Sequence, residues 1–256
     1  EYLPVKKTTS RYTPGDDRAI RKIPEWFEYE GDGYLSRHST LESNGDSLVD
    51  SYARIYELSG SRMQVLPARH SLSIVGSDKN LLIKQDTVSY IACQSPVISG
   101  RWYVPATVTS HDGGGRVQST KEILIRDDYG NPIEIVTNHS EHVIYLWGYY
   151  GQRLVAQIKG ATYVEVENAL GTSPVSLSQL FSPVSTISGL QARLPGAQVY
   201  TYTYHPYAGV DRETAPNGQT TCYDYDAKGR LVKSYRTGEN GKQEILQLNN
   251  YHIINE

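Results

Sequence analysis

The chain has 256 residues, a formal net charge of -3 and a sequence pI near 6.2. That balance argues against a nucleic-acid binder driven by phosphate contacts, and the absence of any run of eighteen apolar residues argues against a membrane-spanning helix. Two cysteines, Cys93 and Cys222, are too few for a disulfide scaffold or a zinc site. A Cys93–Cys222 bridge is one reading, and two small core residues the other. The chain opens at Glu1 without a leader segment and is expected to be a piece of a longer or processed protein. Tyrosine outnumbers phenylalanine 21 to 2. A thick dry core favours Phe, because a buried phenol needs a partner. The bias therefore predicts half-buried strands, with rings on neighbours and hydroxyls in water.

Residues 1–26 are weakly periodic and charged, and are expected as an extended arm whose charge suits a solvated strand edge. From 27 to 161 the chain reads as β-hairpins closed by glycine. FEYEGDG ends at Gly33, LIRDDYG at Gly130 and YLWGYYG at Gly151; further on, YDYDAKG ends at Gly229, and YTYHPYAG ends at Gly209 with one residue inserted. An aromatic stands four positions before the glycine at Tyr29, Trp147 and Tyr225, with Arg126 as the exception; six positions before stand Phe27, Leu124, Tyr145 and Tyr223. Positions two apart share a strand face. Asp127 and Asp226, three before their glycines, suit a turn because the carboxylate accepts a local N–H, and glycine supplies the left-handed conformation that closes it. Gly130 to Gly151 is 21 residues and Gly209 to Gly229 is 20, about two strands with their turns. Asn44-Gly45, Asn217-Gly218 and Asn240-Gly241 add further hairpin markers. HDGGG, from His111, joins two strand-like runs and lacks the Lys-Ser/Thr and the following helix of a phosphate-binding loop.

Residues 162–195 interrupt this beat. Val166, Ala169 and Leu170 have helical spacing with Gly171 as a stop. Ser176 to Phe181 and Ser188 to Leu194 predict two more short helices, ended by Pro183 and Pro195, with Leu177, Leu180 and Phe181 as an apolar stripe. Residues 196–256 return to hairpins. The predicted fold is mainly β, an elongated antiparallel sheet of hairpin repeats with a small helical insert.

YDYDAKGRLVK, from Tyr223, resembles the YD repeat of the Rhs family, whose unit reads roughly aromatic-x-Tyr-Asp-x-x-Gly-Arg-Leu. DDYGNPIEI, YLWGYYGQRLVAQI and VYTYTYHPYAGV…PNGQTTCYDYDAKGRL follow one another as in the large Rhs-like proteins common in Bacteroidetes. The insert ending QARLPGAQV sits where those proteins place one. The resemblance is clear from about 99 to 234 and looser back to 27. It implies a segment of a large secreted or surface-displayed protein whose repeats form a continuous sheet, able in relatives to spiral into a shell around a toxin or to serve adhesion or carbohydrate binding. The repeats here are few, and the chain carries no autocleavage motif or toxin segment.

No catalytic residue is selected. His38, His70, His111, His139, His142, His205 and His252 are the available bases. His139 and His142 form H-x-x-H in a turn-to-strand context, where positions three apart face opposite sides, rather than the i,i+4 pair of a helical zinc site. No Gly-x-Ser-x-Gly is present, and no carboxylate pair stands out for glycoside hydrolysis. The expectation is a non-catalytic structural segment without cofactor or metal, its partners being the rest of a parent chain and a surface glycan or protein. The alternatives are a carbohydrate-binding module and a hydrolase with unidentified acids. Tyr200, Tyr202 and Tyr204 are expected on one strand face, continued by Tyr223, Tyr225 and Tyr235, either as a ring platform for a ligand or as a cross-strand ladder.

Overall fold

The computed structural model describes residues 3–12, 19–59, 62–94, 96–97, 100–238 and 241–251, so Asn240 and His252 lie outside the described residues. Sixteen strands run antiparallel in one sheet, each beside its neighbours in sequence. They are β1 (Lys6–Tyr12), β2 (Ala19–Tyr29), β3 (Leu35–Leu41), β4 (Ser47–Ser59), β5 (Arg62–Val75), β6 (Asn80–Gln94), β7 (Arg101–Asp112), β8 (Val117–Arg126), β9 (Pro132–Thr137), β10 (Glu141–Gly148), β11 (Arg153–Lys159), β12 (Gln198–Tyr204), β13 (Val210–Thr214), β14 (Thr220–Tyr225), β15 (Leu231–Thr237) and β16 (Gln243–Leu248). Four short helices lie between β11 and β12: α1 (Tyr163–Leu170), α2 (Pro174–Leu177), α3 (Val184–Ile187) and α4 (Leu190–Arg193). No helix among the described residues is long and apolar enough to cross a membrane. Within the stretch expected as an arm, β1 pairs with β2 from Lys6↔Trp26 onward and forms one edge of the sheet.

Contacts divide the chain into two units. Unit 1 comprises Glu1–Gln94, Ser99–Glu122 and Thr137–His139; unit 2 comprises Ser95–Ile98, Ile123–Val136 and Ser140–Glu256. Among the described residues of unit 1 the buried hydrophobic ones are Val49, Leu66 and Val104. In unit 2 the register brings Ile144 opposite Ile158, Leu146 opposite Ala156, and Ile158 opposite Val199, building one apolar patch on three strands. Val166 and Leu170 of α1, Leu177, Ile187, Leu190 and Leu194 close over that patch. Burying each such side chain contributes about 1.5–3 kcal/mol.

α1 and α4 form where the sequence predicts helix, but the helix expected over Ser176 to Phe181 lies earlier, at Pro174–Leu177, where Pro174 begins it, and two further differences follow. Thr162 caps α1 in a reciprocal box with Glu165, and Gly171 ends the helix in the left-handed conformation. Pro183 does not end a helix but stands at the N-cap of α3, which the three β-branched residues Val184, Thr186 and Ile187 concealed. The expected stripe splits: Leu177 is fully buried, whereas Phe181 keeps 69% of its surface exposed.

Seven turns share one hydrogen-bond plan. Beginning at Glu30, Glu42, Asp112, Asp127, Ala215, Asp226 and Gly238, the first residue donates its N–H to the carbonyl four residues on, and the N–H of the fourth residue donates back to the first carbonyl. The fourth residue is always a glycine, with φ between +73° (Gly229) and +87° (Gly45). Where all of its residues are described, this is the plan of a type I turn followed by a left-handed glycine. Gly33, Gly130 and Gly229 therefore close hairpins as their sequences predict.

Gly151 also lies at the bend between adjacent antiparallel strands, but in a different turn. Tyr149 (φ +54°) and Tyr150 (φ +58°) are left-handed as well, a costly conformation for aromatic residues. Docking on the insert offsets that cost: the Gly151 N–H donates to the Ser178 carbonyl at 2.8 Å, and Tyr149 meets Phe181 edge-on at 6.0 Å. Gly209 takes the last position of the turn from His205 without a left-handed φ. Its need for glycine is space, since an added Cβ would lie 2.6 Å from the Tyr225 hydroxyl.

Candidate functional site

The turn carboxylates are placed by chemistry that the sequence pattern anticipates. Asp127 is buried, and its Oδ1 accepts from the N–H groups of Tyr129 (3.0 Å) and Asn131 (2.8 Å). Asp226 repeats this with Lys228 and Arg230, both at 2.9 Å, and Asp112 with Gly114 and Arg116. The Arg230 backbone N–H and then its guanidinium hold the Asp226 carboxyl below the usual range. Where the first turn residue is not Asp, the third supplies the acceptor: Asp32 for Tyr34, Asn44 for Asp46 and Asn217 for Gln219.

The tyrosines show a second regularity. Between β13 and β14, pairing at this end stops at Arg212↔Cys222; three residues past Cys222, the Tyr225 hydroxyl donates to the carbonyl of Val210, two residues before Arg212. The same offsets recur four times: Tyr29 to Pro4 beyond Lys6↔Trp26, Tyr90 to Pro67 beyond Arg69↔Thr87, Tyr204 to Leu154 beyond Ala156↔Thr201, and Tyr251 to Leu231 beyond Lys233↔Leu248. Trp147 plays the same part toward Pro132, through its indole N–H at 2.8 Å. In each case an aromatic side chain caps a seam where the backbone ladder ends. Arg153 lies 4.7 Å over the Tyr204 ring and Arg230 4.4 Å over that of Tyr251, so each Arg-Leu pair holds ring and hydroxyl together. Only a ring carrying a donor does this, which accounts for part of the tyrosine excess. The expectation that these hydroxyls point to water is corrected for the five tyrosines.

Of the six tyrosines singled out as a ligand face, five share a side by register. Thr201 faces Ala156 on the core side, so Tyr200 and Tyr202 face away; Tyr202 opposes Glu213, Glu213 opposes Thr221, and Tyr223 follows on the same side, its hydroxyl 3.2 Å from Glu213. Tyr204 and Tyr225 continue the alternation but end in backbone latches. Tyr235 opposes Cys222 and so lies on the other side from Tyr223, with Lys233 4.4 Å from its ring centroid. Burial raises the phenol pKa of Tyr202, Tyr204, Tyr223, Tyr225 and Tyr235.

The remaining sequence candidates are dispersed. His139 meets Glu122 at 3.1 Å and His142 meets the buried Glu134 at 2.8 Å, each with its own carboxylate. Glu134 also accepts from the Tyr163 N–H at the start of α1, at 3.2 Å. No group of three or more metal-type ligands occurs among the described residues. Cys93 and Cys222 are free and half-buried, so the disulfide and core readings both give way to two separate strand positions, opposite Trp102 and Tyr235.

What the sequence pattern did not bring together is a row of charged side chains across unit 1. Lys7 meets Glu25 (3.2 Å); Glu25 meets His38 Nε2 (3.2 Å); His38 Nδ1 meets Asp50 (3.6 Å); Asp50 meets His70 Nε2 (2.8 Å); His70 Nδ1 lies 3.9 Å from Asp86; and Asp86 accepts from Ser110 (2.5 Å). Each imidazole is stacked on the ring directly opposite it, His38 on Phe27 at 4.8 Å and His70 on Tyr52 at 5.0 Å.

No protein-family model matches this chain, and no curated protein matches it. Among solved structures it is similar to a chain of the Photorhabdus luminescens Tc holotoxin pore bearing a mutant TccC3, with 8% identity over 95% of this chain and 20% of that chain and a TM-score of 0.21. It is similar to a chain of the TcdB2–TccC3–Cdc42 crystal structure, with 10% identity over 87% and 15% and a TM-score of 0.20. It is also similar to a porin-like protein from Bacteroides uniformis, with 11% identity over 94% and 93% and a TM-score of 0.23. The chain spans 20% and 15% of the two toxin chains, and at these scores the likenesses assign no activity to it.

Proposed function

We propose that this chain is a non-catalytic scaffold segment of a large secreted or surface-displayed Rhs-like protein. The observation that carries this reading is the repeated use of chemically capable side chains on the chain's own backbone. Five tyrosine hydroxyls and an indole N–H cap strand seams, and three aspartates close turns. Groups so engaged serve to hold repeat to repeat. The test is a Tyr204→Phe, Tyr225→Phe double variant, which deletes two donors and keeps both rings. A scaffold loses thermal stability, with Tm falling by several degrees, while binding to any glycan or surface partner stays at the wild-type level. Unchanged Tm together with lost binding would overturn the reading.

A second reading, a carbohydrate-binding face, draws on the common side of Tyr200, Tyr202 and Tyr223, whose rings are only partly covered. Exposed rings of this kind stack on sugars. Glycan-array binding abolished by Tyr202→Ala and retained in Tyr235→Ala, on the opposite side, would favour it; silence across a broad array would dispose of it.

A further inference from the structure

The row across unit 1 has a proton-dependent chemistry. A neutral imidazole carries one N–H; it donates to one carboxylate and turns a lone pair toward the other. An imidazolium donates to both. His38 has Glu25 at one ring nitrogen and Asp50 at the other, and His70 has Asp50 and Asp86. The lysines stand at the ends, Lys7 on Glu25 and Lys84 on Asp86 at 2.9 Å, whereas both ion pairs of the central Asp50 are with the two histidines. With both rings charged, the signs alternate from strand to strand without a break: Lys7 on β1, Glu25 on β2, His38 on β3, Asp50 on β4, His70 on β5 and Asp86 on β6, with Ser110 of β7 donating to the last. With both rings neutral, Asp50 is left without a cation, and three carboxylates share the two terminal lysines. The imidazoles also stack on the Phe27 and Tyr52 rings.

We propose that His38 and His70 form a proton-operated lock, which ties β2 through β6 together when both imidazoles are charged and loosens these strands when they lose their protons. The row matters in unit 1 because little hydrophobic burial competes with it: among the described residues Val49, Leu66 and Val104 are its buried apolar side chains. The lock also has an acid limit. Donation from Lys7 lowers the Glu25 pKa against the opposing effect of burial. Burial raises that of Asp86, but donations from Ser110 and Lys84 outweigh it and leave the value lowered. A carboxylate whose folded pKa is depressed contributes stability above its unfolded pKa and loses it as pH falls through the folded value. The lock therefore opens on the alkaline side when the imidazoles lose their protons and on the acid side when the carboxylates gain theirs.

The test is amide hydrogen exchange on the whole chain at pH 5 and pH 8, corrected for the intrinsic rate, with the amides of Ala156 and Ile158 in unit 2 as an internal reference. Protection at His38, Asp50, His70 and Asp86 is expected to fall about tenfold or more from pH 5 to pH 8 relative to that reference. In His38→Gln/His70→Gln the difference is expected to vanish. A wild-type profile that is flat, or parallel to the reference, overturns the proposal, as does a double variant that keeps the pH dependence. Should the double variant not fold, ring nitrogen shifts of wild-type His38 and His70 decide: both nitrogens protonated at pH 5 supports the lock, and neutral tautomers there overturn it.

Discussion

The two units apply the same hairpin to opposite ends. Unit 2 hides one sheet face beneath four short helices, and fifteen buried residues form a single apolar cluster. Among its described residues unit 1 has three buried hydrophobic side chains, and it instead carries a row of lysine, carboxylate and imidazole groups across its strands. Yet the turns from Glu30 in unit 1 and from Asp226 in unit 2 have the same hydrogen bonds, and Tyr90 and Tyr225 cap their seams with the same offsets. The hairpin grammar is thus independent of what covers the sheet. Local turn and seam chemistry sets register, while the layer laid on it differs: nonpolar burial in one unit and a row of polar side-chain contacts in the other.

The largest difference is expected from core truncation. Ile158→Ala, at a position with no exposed surface, should cost about 2–5 kcal/mol. Val49→Ala in unit 1 removes less and should cost about half as much, near 0.8 kcal/mol per methylene lost. Denaturant unfolding monitored separately on the two units checks this; equal losses would mean that unit 1 has a core comparable to that of unit 2.

A glycine pair sharpens the contrast. Gly45→Ala in unit 1 meets no atom within 4 Å, so the left-handed φ of +87° is its main penalty, about 1 kcal/mol. Gly151→Ala adds a clash with the Tyr129 ring and disturbs a turn whose Tyr149 and Tyr150 are already left-handed. It should cost about 1–3 kcal/mol more, and should also expose the insert, visible as faster exchange at the Leu177 and Ser178 amides. Smaller still are the seam caps. Tyr90→Phe and Tyr225→Phe should each cost about 0.5–1.5 kcal/mol, similar in the two units, while Tyr207→Phe, at a turn tip 92% exposed, should cost nothing measurable in the same thermal melts.

These comparisons mark how far the sequence was legible. Glycine and aspartate at fixed separation announce a turn because all the participating groups lie within five residues. Hence Gly33, Gly130, Gly229, Asp127 and Asp226 were readable. The aromatic four positions before the glycine was visible as a pattern, but its acceptor lies on the preceding strand, and Tyr225 finds Val210 only through the register of β13 on β14. Tyr235 falls on the side away from Tyr223 for the same reason, since the opposition of Cys222 decides its face. The histidine row needed five strand registers at once: His38 and Asp50 are twelve apart, and Asp50 and His70 twenty, with no periodic signal to join them. α3 escaped because Val184–Ile187 has no helical stripe, and Pro183 reads as a stop although it begins the helix.

The smallest expected effect tests whether the turn grammar itself is electrostatic. Asp226 accepts from two backbone N–H groups and the Arg230 guanidinium, and its folded pKa is lowered. The sign follows directly: its contribution is complete above the pKa of the unfolded chain and disappears as pH falls through the lower folded value. In a short peptide spanning Tyr223 to Leu231 the carboxyl should titrate near the ordinary aspartate value of about 3.9, and in the folded chain at lower pH, with the Lys228 and Arg230 amide shifts moving in step. Arg230→Ala removes the side-chain donors and keeps the backbone ones, so the folded titration should move only part of the way back up. If the variant titrates as the peptide does, the guanidinium, not the turn backbone, holds the carboxylate charged, and the glycine-closed hairpin is then a steric device in both units.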